Sequence, residues 1–225
     1  MKKIGMIVAM QTEILPMLCE LGNAEDVCAI PCPIKRIRTQ KAEIYIAQSG
    51  VGEICAASTA QLLISAFGCE ELWNFGVVGG LTEEMDMNRV VIVEKVVHYA
   101  FDTVSIDHLP LGTYDWHGEL YFHTDEALRK KAAEILPDAM TVTLASADRF
   151  VEPAEEKERI ARDFAADICD MEGAGLAITA LRNNVPILMV KAVSDSKNDG
   201  AKFNDLVCMA SEKFAKVIKT LVYAI

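Results

Sequence analysis

The chain has 225 residues, 52% hydrophobic and 24% charged, with a formal net charge of −11. A chain of this length and apolar content buries a sizeable core without a metal or disulfide staple, so it is read as one ordered domain over residues 1–225. So acidic a surface repels a phosphate backbone, which argues against nucleic acid as a partner but not against a small ligand.

Seven cysteines stand at positions 19, 28, 32, 55, 69, 169 and 208. The number is odd and most lie in apolar stretches, so buried, reduced thiols are expected. Cys28 and Cys32 are four residues apart, but no second Cys/His pair completes a zinc pattern, so no metal and no cofactor are expected. The opening Met1-Lys2-Lys3-Ile4-Gly5 begins like a signal peptide. Its apolar run stops at Gln11-Thr12-Glu13 with no small-residue cleavage site, and no stretch is long and apolar enough for a membrane span, so a cytoplasmic protein is expected.

In chain order, short β-branched apolar runs predict strands over residues 4–9, 43–48, 72–77, 89–98, 142–147 and 187–193. Residues 51–67, rich in Ala, Ser and Thr and nearly uncharged, predict a helix buried in a core or against another subunit. Residues 99–123 have no clean period and hold three of the four histidines, which predicts a long loop or irregular hairpin of the kind that lines sites. Pro153 starts a charged helix over 155–164, and a helix over 172–183 ends at Asn183-Asn184 before Pro186. Phe203, Leu206, Val207, Ala210, Phe214, Val217, Ile218 and Leu221 make one apolar stripe on a last helix, 203–221. Strands alternating with helices predict a mostly parallel sheet covered on both faces. In such sheets ligands bind beyond the carboxyl ends of the strands.

Those ends carry Ala9-Met10-Gln11-Thr12-Glu13, Ser49-Gly50-Val51-Gly52, Asn74-Phe75-Gly76-Val77-Val78-Gly79-Gly80, Asp170-Met171-Glu172-Gly173-Ala174-Gly175 and Lys191-Ala192-Val193-Ser194-Asp195. Each has an ordinary reading. Glu13 and Glu172 complement helix N-termini, Ser194-Asp195 forms a turn or cap, the glycines permit tight turns, and Met171 and Phe150 fill a core.

Taken together, with Ile4-Gly5-Met6-Ile7-Val8-Ala9 before Met10 and with Ser146-Ala147-Asp148-Arg149-Phe150-Val151, the motifs tell a more specific story. In order and spacing, over nearly the whole chain, the sequence resembles the 5′-methylthioadenosine/S-adenosylhomocysteine nucleosidases of the purine nucleoside phosphorylase superfamily. The resemblance implies an α/β three-layer sandwich with a central mixed β-sheet, nucleoside phosphorylase-like. It implies a homodimer and hydrolysis of the N-glycosidic bond of an adenine nucleoside. By the same resemblance Asp195 protonates adenine N7, with Ser194 beside it, and Glu13 is the base for the attacking water. Glu172 holds the ribose hydroxyls beside the Met171 backbone. Phe150 stacks on the purine and the Val151 backbone meets its edge. Met10 and Phe203 line the 5′-alkylthio pocket, and Val77 and Gly79 belong to the substrate-binding glycine turn.

This assignment is chemically coherent. A glycosidic bond that breaks through an oxocarbenium-like sugar needs an acid at the departing base and a carboxylate near the sugar. Burial of Asp195 keeps that acid protonated, and separate surroundings keep acid and base distinct.

The chain departs from the family at Val77, where Ser is usual, and at Lys191, where Arg is usual. Both family residues frame the water, and neither replacement is equivalent in hydrogen bonding or geometry. Gln11-Thr12 replaces a more acidic pair, and residues 99–123 match poorly. Three rivals follow. A phosphorylase would need an anion site, yet Asn74 stands where phosphorylases carry Arg. A hydrolase of futalosine-type or other 6-oxopurine nucleosides is another, although Asp195 favours a 6-amino group. The third is a nucleoside-binding homologue with weak or no turnover.

Overall fold

The computed structural model describes residues 1–195 and 203–224, excepting the side chains of residues 195 and 203–206. The chain runs β1 (Lys2–Val8), α1 (Gln11–Leu21), β2 (Glu25–Cys28), β3 (Ile34–Arg38), β4 (Ala42–Gln48), α2 (Glu53–Ser65), β5 (Glu71–Gly80) and β6 (Val90–His98). It continues through α3 (Val104–Asp107), β7 (Phe122–His123), α4 (Glu126–Ile135), β8 (Met140–Ser146), α5 (Ala154–Phe164), β9 (Ile168–Asp170), α6 (Gly173–Asn183), β10 (Ile187–Asp195) and α7 (Phe203–Ala224).

All six predicted strands form, as β1, β4, β5, β6, β8 and β10. They are the apolar, β-branched runs, and in the sheet they are covered on both faces. β1 lies between β4 and β5, parallel to both, and β5 is parallel to β10. β10 then pairs antiparallel with β6, β6 parallel with β8, β8 parallel with β9, and β9 returns antiparallel to β5. The sheet is therefore mixed, and β5, β10, β6, β8 and β9 close into a ring. This curvature brings the carboxyl end of the short strand β9 to the ends of β5 and β10.

Two apolar layers hold the sheet. On one face Ala56, Ala60 and Leu63 of α2 meet Leu176, Ala177 and Ala180 of α6 over Ile7, Leu72 and Val93. On the other, Ile14 and Met17 of α1 and Phe214, Ile218 and Leu221 of α7 pack over Met6, Phe75 and Val190. Each fully buried aliphatic side chain contributes about 1.5–3 kcal/mol, so these faces supply most of the cohesion. A smaller cluster seats Ile160 and Phe164 of α5 against Val97 and Ala145. Among the described residues no helix is long and apolar enough to cross a membrane.

Several expectations need correction. Helix 51–67 shortens to α2, and it is not apolar throughout: Glu53 is buried and Ile54 faces outward. α1 and α4 were not foreseen, because Pro16 and Gln11-Thr12-Glu13 blur the period of the first and the second is largely charged. β2 and β3 were missed because they form a charged edge, joined by Lys35–Asp26 (2.5 Å) and Arg36–Glu25 (2.6 Å) pairs. The cysteines are not mostly buried: Cys19, Cys55 and Cys208 are exposed. They sit on the outward faces of α1, α2 and α7, where apolar neighbours in sequence point the other way around the helix.

Candidate functional site

The ends of β1, β5, β9 and β10 and the segment after β8 surround one cavity of about 180 Å³. Met10, Glu13, Val77, Gly79, Phe150, Val151, Met171, Glu172 and Ser194 all line it. These residues are scattered over the chain, and it is the pairing of β1 and β10 parallel to β5, with β9 returning antiparallel to it, that makes their ends converge.

Glu13 is the best fixed of them. It sits in the first turn of α1, and its Oε2 accepts from the Met10 backbone N–H at 2.8 Å. That is ordinary helix-end complementation. Its Oε1, however, accepts from the Val77 backbone N–H on β5, also at 2.8 Å. The Val77 side chain offers no hydrogen bond, but its backbone clamps the carboxylate. Burial pushes the Glu13 carboxyl above its ordinary value, against the pull of these two N–H groups and of Lys191. A group so placed holds or takes up a proton more readily than a free glutamate.

Glu172 is the N-cap residue of α6. Its Oε1 accepts from the Gly52 backbone N–H at 2.9 Å, and its Oε2 faces the Met171 N–H at 3.3 Å. Gly52 has φ +102°, a conformation that side-chain-bearing residues rarely adopt, and it turns this N–H toward the cavity. Burial and the neighbouring Asp170 push the Glu172 carboxyl upward.

Behind these two glutamates lies a polar cluster that sequence reading did not assign. Lys191 Nζ bonds Asp170 Oδ2 at 2.9 Å, with both side chains 2% exposed. Asp170 Oδ1 accepts from the backbone N–H groups of Gly173 (3.0 Å) and Glu172 (3.3 Å). Ser146 Oγ lies 2.6 Å from Asp170 Oδ1 and 2.7 Å from Glu53 Oε1. Lys191 is therefore committed to Asp170, so the described cavity offers carboxylates and backbone groups but no uncommitted buried cation. Arg149 also lines it, yet that guanidinium is paired with Glu156 at 2.9 Å. The one available signal for Asp170 was its place at a strand end beside Met171-Glu172. Ser146 opened the Ser146–Val151 motif but was given no role, and nothing marked Glu53, which lies far from it in the chain.

On the open side, Phe150 is 50% exposed while Val151 is buried. Ser194 falls at a register shift between β10 and β5, where Asp195 pairs with Gly79, and its Oγ donates to the Val78 carbonyl at 3.2 Å. Bulges of this kind often re-aim side chains at sites. The backbone of Asp195 thus ends β10 at the cavity rim, while its side chain and that of Phe203 lie outside the described residues. Residues 99–123 do not line this cavity, contrary to expectation. They fold on themselves: Phe101 and Tyr114 stack with ring centroids 3.7 Å apart, and the Tyr114 hydroxyl meets His98 Nδ1 at 2.7 Å. Among the described residues no cluster of three or more His, Cys, Asp or Glu is placed to hold a metal ion.

Fold and site together define an α/β protein with a small-molecule pocket at its strand ends, lined by the carboxylates of Glu13, Asp170 and Glu172 and by one cation, Arg149, that is paired with Glu156. Comparison with known proteins gives the family. The model of the Phosphorylase superfamily matches residues 3–223, so the chain belongs to that superfamily. It is 28% identical over 228 residues to an aminodeoxyfutalosine nucleosidase of Helicobacter pylori, covering 98% of each chain. It is 27% identical to a 5′-methylthioadenosine/S-adenosylhomocysteine nucleosidase of Desulfotalea psychrophila, covering 95% of this chain and 92% of that one. Among solved structures it resembles that of a Helicobacter pylori MTAN mutant with 5′-methylthioadenosine in the active site. There the TM-score is 0.92 at 26% identity, with both chains covered in full.

Proposed function

We propose that the protein hydrolyses the N-glycosidic bond of an adenine nucleoside carrying a 5′-alkylthio group, 5′-methylthioadenosine or S-adenosylhomocysteine, and releases adenine. The observation that carries this reading is the Glu13 carboxylate, clamped by two backbone N–H groups at a cavity whose rim is the end of β10. In the mechanism, Asp195 gives a proton to adenine N7 as the bond from C1′ to the purine nitrogen breaks. A water oxygen then bonds to C1′ and its proton passes to Glu13. General acid and general base each contribute roughly 10²–10⁴-fold. Glu172 accepts from the ribose hydroxyls, and its charge stabilises the cationic sugar. Phe150 covers the purine face, the Val151 backbone meets the purine edge, and Ser194 supports the end of β10. Met10, Met171 and Phe203 suit an apolar 5′ group, and Val77 and Gly79 let the backbone approach the sugar.

Hydrolysis is favoured over phosphorolysis because Glu13, Asp170 and Glu172 line the pocket while Lys191 is spent on Asp170. Asn74 is buried, with its Nδ2 donating to the Ile7 carbonyl, and offers no anion site. A second substrate reading, aminodeoxyfutalosine, is favoured by the relative from Helicobacter pylori that bears that name. The test is release of the purine base, adenine from 5′-methylthioadenosine, S-adenosylhomocysteine and aminodeoxyfutalosine and hypoxanthine from inosine, with and without phosphate. Turnover that requires phosphate ends the hydrolase reading, and tight binding of every nucleoside without turnover marks a binding homologue. The protein is further proposed to be a homodimer, because Val51 and Ile54 leave apolar surface exposed around the start of α2. Sedimentation as a monomer at micromolar concentration would count against that.

A further inference from the structure

A serine hydroxyl has one proton. Ser146 Oγ is completely buried between two carboxyl oxygens, Glu53 Oε1 at 2.7 Å and Asp170 Oδ1 at 2.6 Å. It can donate to only one of them, and the other must carry a proton and donate to it; otherwise two lone pairs face each other at hydrogen-bond distance. The partners decide which one. Asp170 already accepts from the Lys191 ammonium and from two backbone N–H groups, so its oxygens are acceptors. Glu53 Oε2 accepts from the Gly175 N–H, which leaves Oε1 to hold the proton.

The charged groups that face Glu53 agree with this. Asp170 at the end of β9 and Asp148 after β8 are both acidic, the phenol of Tyr114 approaches from the long segment, and Lys191 lies on the far side of Asp170. Burial, reinforced by the two aspartates, pushes the Glu53 carboxyl up to about 8.

Resting on the nucleosidase reading, we propose that Glu53 is a positioning residue of the site: its carboxylic acid donates to Ser146, directs the Ser146 proton onto Asp170, and so holds the turn that carries Glu172. Glu53 does not line the cavity, but it reaches Glu172 by two routes. Through Ser146 it orients Asp170, whose Oδ1 holds the Glu172 and Gly173 N–H groups. Through the start of α2 it fixes Gly52, whose N–H holds the Glu172 carboxylate, because the Glu53 N–H is itself tied to Asp148 Oδ1 at 2.7 Å. Loss of the Glu53 proton sets a charge against Asp170 and loosens the route through Ser146, while the backbone tie to Asp148 remains.

Glu53→Gln tests this, because the amide keeps a donor for Ser146 and an acceptor for the Gly175 N–H but cannot ionise. Two readouts need no substrate. Infrared difference spectra of the wild type should show a buried protonated carboxyl at neutral pH that bleaches with a midpoint near 8, and E53Q should lack it. The sign of the stability effect follows from a folded-state value above the unfolded 4.5. The stabilisation is complete below 4.5 and is lost as pH rises through about 8, so the wild-type Tm should fall across that window more steeply than that of E53Q. A persisting band or equal slopes overturn the protonation assignment. With substrate, the rise in wild-type KM between pH 7 and pH 9 should exceed that of E53Q by about tenfold, the value of one hydrogen bond, and Glu172 titrates alike in both proteins. Equal rises in KM overturn the positioning role. A wild type that turns over no nucleoside defeats the proposed function instead, and leaves the spectral and melting results standing.

Discussion

The turns after β1 and β4 are built alike and used differently. In each, a parallel strand of the same sheet ends, the chain turns sharply, and a helix begins with a buried glutamate in its first turn: Glu13 in α1 and Glu53 in α2. Glu13 is held by the backbone N–H groups of Met10 and Val77, its hydrogen-bond partners among the described residues, and looks into the cavity. Glu53 meets the Gly175 N–H and a hydroxyl already in contact with another carboxylate, and α6 closes over it. A buried acid at a strand end is therefore not a reactive group by position. What faces it decides whether it serves chemistry or architecture, and the two roles respond differently to substitution.

The largest expected effect belongs to Asp195, the acid of the proposed mechanism. Asp195→Asn should lower kcat by about 10⁴-fold with the melting temperature unchanged, because the amide cannot protonate the purine. Full activity in that variant refutes the acid assignment. Glu13→Gln should lower kcat by about 10²–10³-fold. It should also cost about 1–3 kcal/mol in thermal or urea denaturation, since one of the two clamping N–H groups would face an amide NH₂. Retained hydrolysis means that another group activates the water.

The comparison sharpens at the glycines behind each acid. A Cβ on Gly175 would lie 2.5 Å from the Glu53 carbonyl oxygen, so Gly175→Ala should destabilise by about 1–3 kcal/mol. A Cβ on Gly76 would instead lie 2.9 Å from Glu13 Oε1, the far end of a side chain. Gly76→Ala should therefore cut kcat more than it cuts stability, and the opposite ranking of the two variants in melting and activity assays would dissolve the distinction drawn here. The smallest effect is expected on the open side. Phe150→Leu should raise KM by about 2- to 10-fold and leave kcat nearly unaltered, the value of one half-exposed aromatic contact.

Much of this was legible in the sequence where the signal was local. The strands showed because runs such as Ile4-Gly5-Met6-Ile7-Val8 and Ile187-Leu188-Met189-Val190 are covered on both faces and cannot afford polar residues. The cavity residues showed because strand ends carry acids, glycines and Met where a plain turn would not need them, and because their joint order resembles a known family. The charged edge strands β2 and β3 did not show, since solvent accepts their polar side chains and no apolar rhythm is left to read.

The sequence by itself determined which residues are apolar in strand or helical rhythm, and hence an α/β chain with acids at its strand ends. Only the tertiary structure decided that β9 curls back to β5 and sets Asp170 on Lys191. It also decided that a backbone N–H 64 residues away clamps Glu13, and that Ser146 stands between two carboxyls. The reason is physical: periodicity records what each residue does with water, whereas hydrogen-bond partners and proton positions depend on which distant groups the closed ring of strands brings within 3 Å of one another.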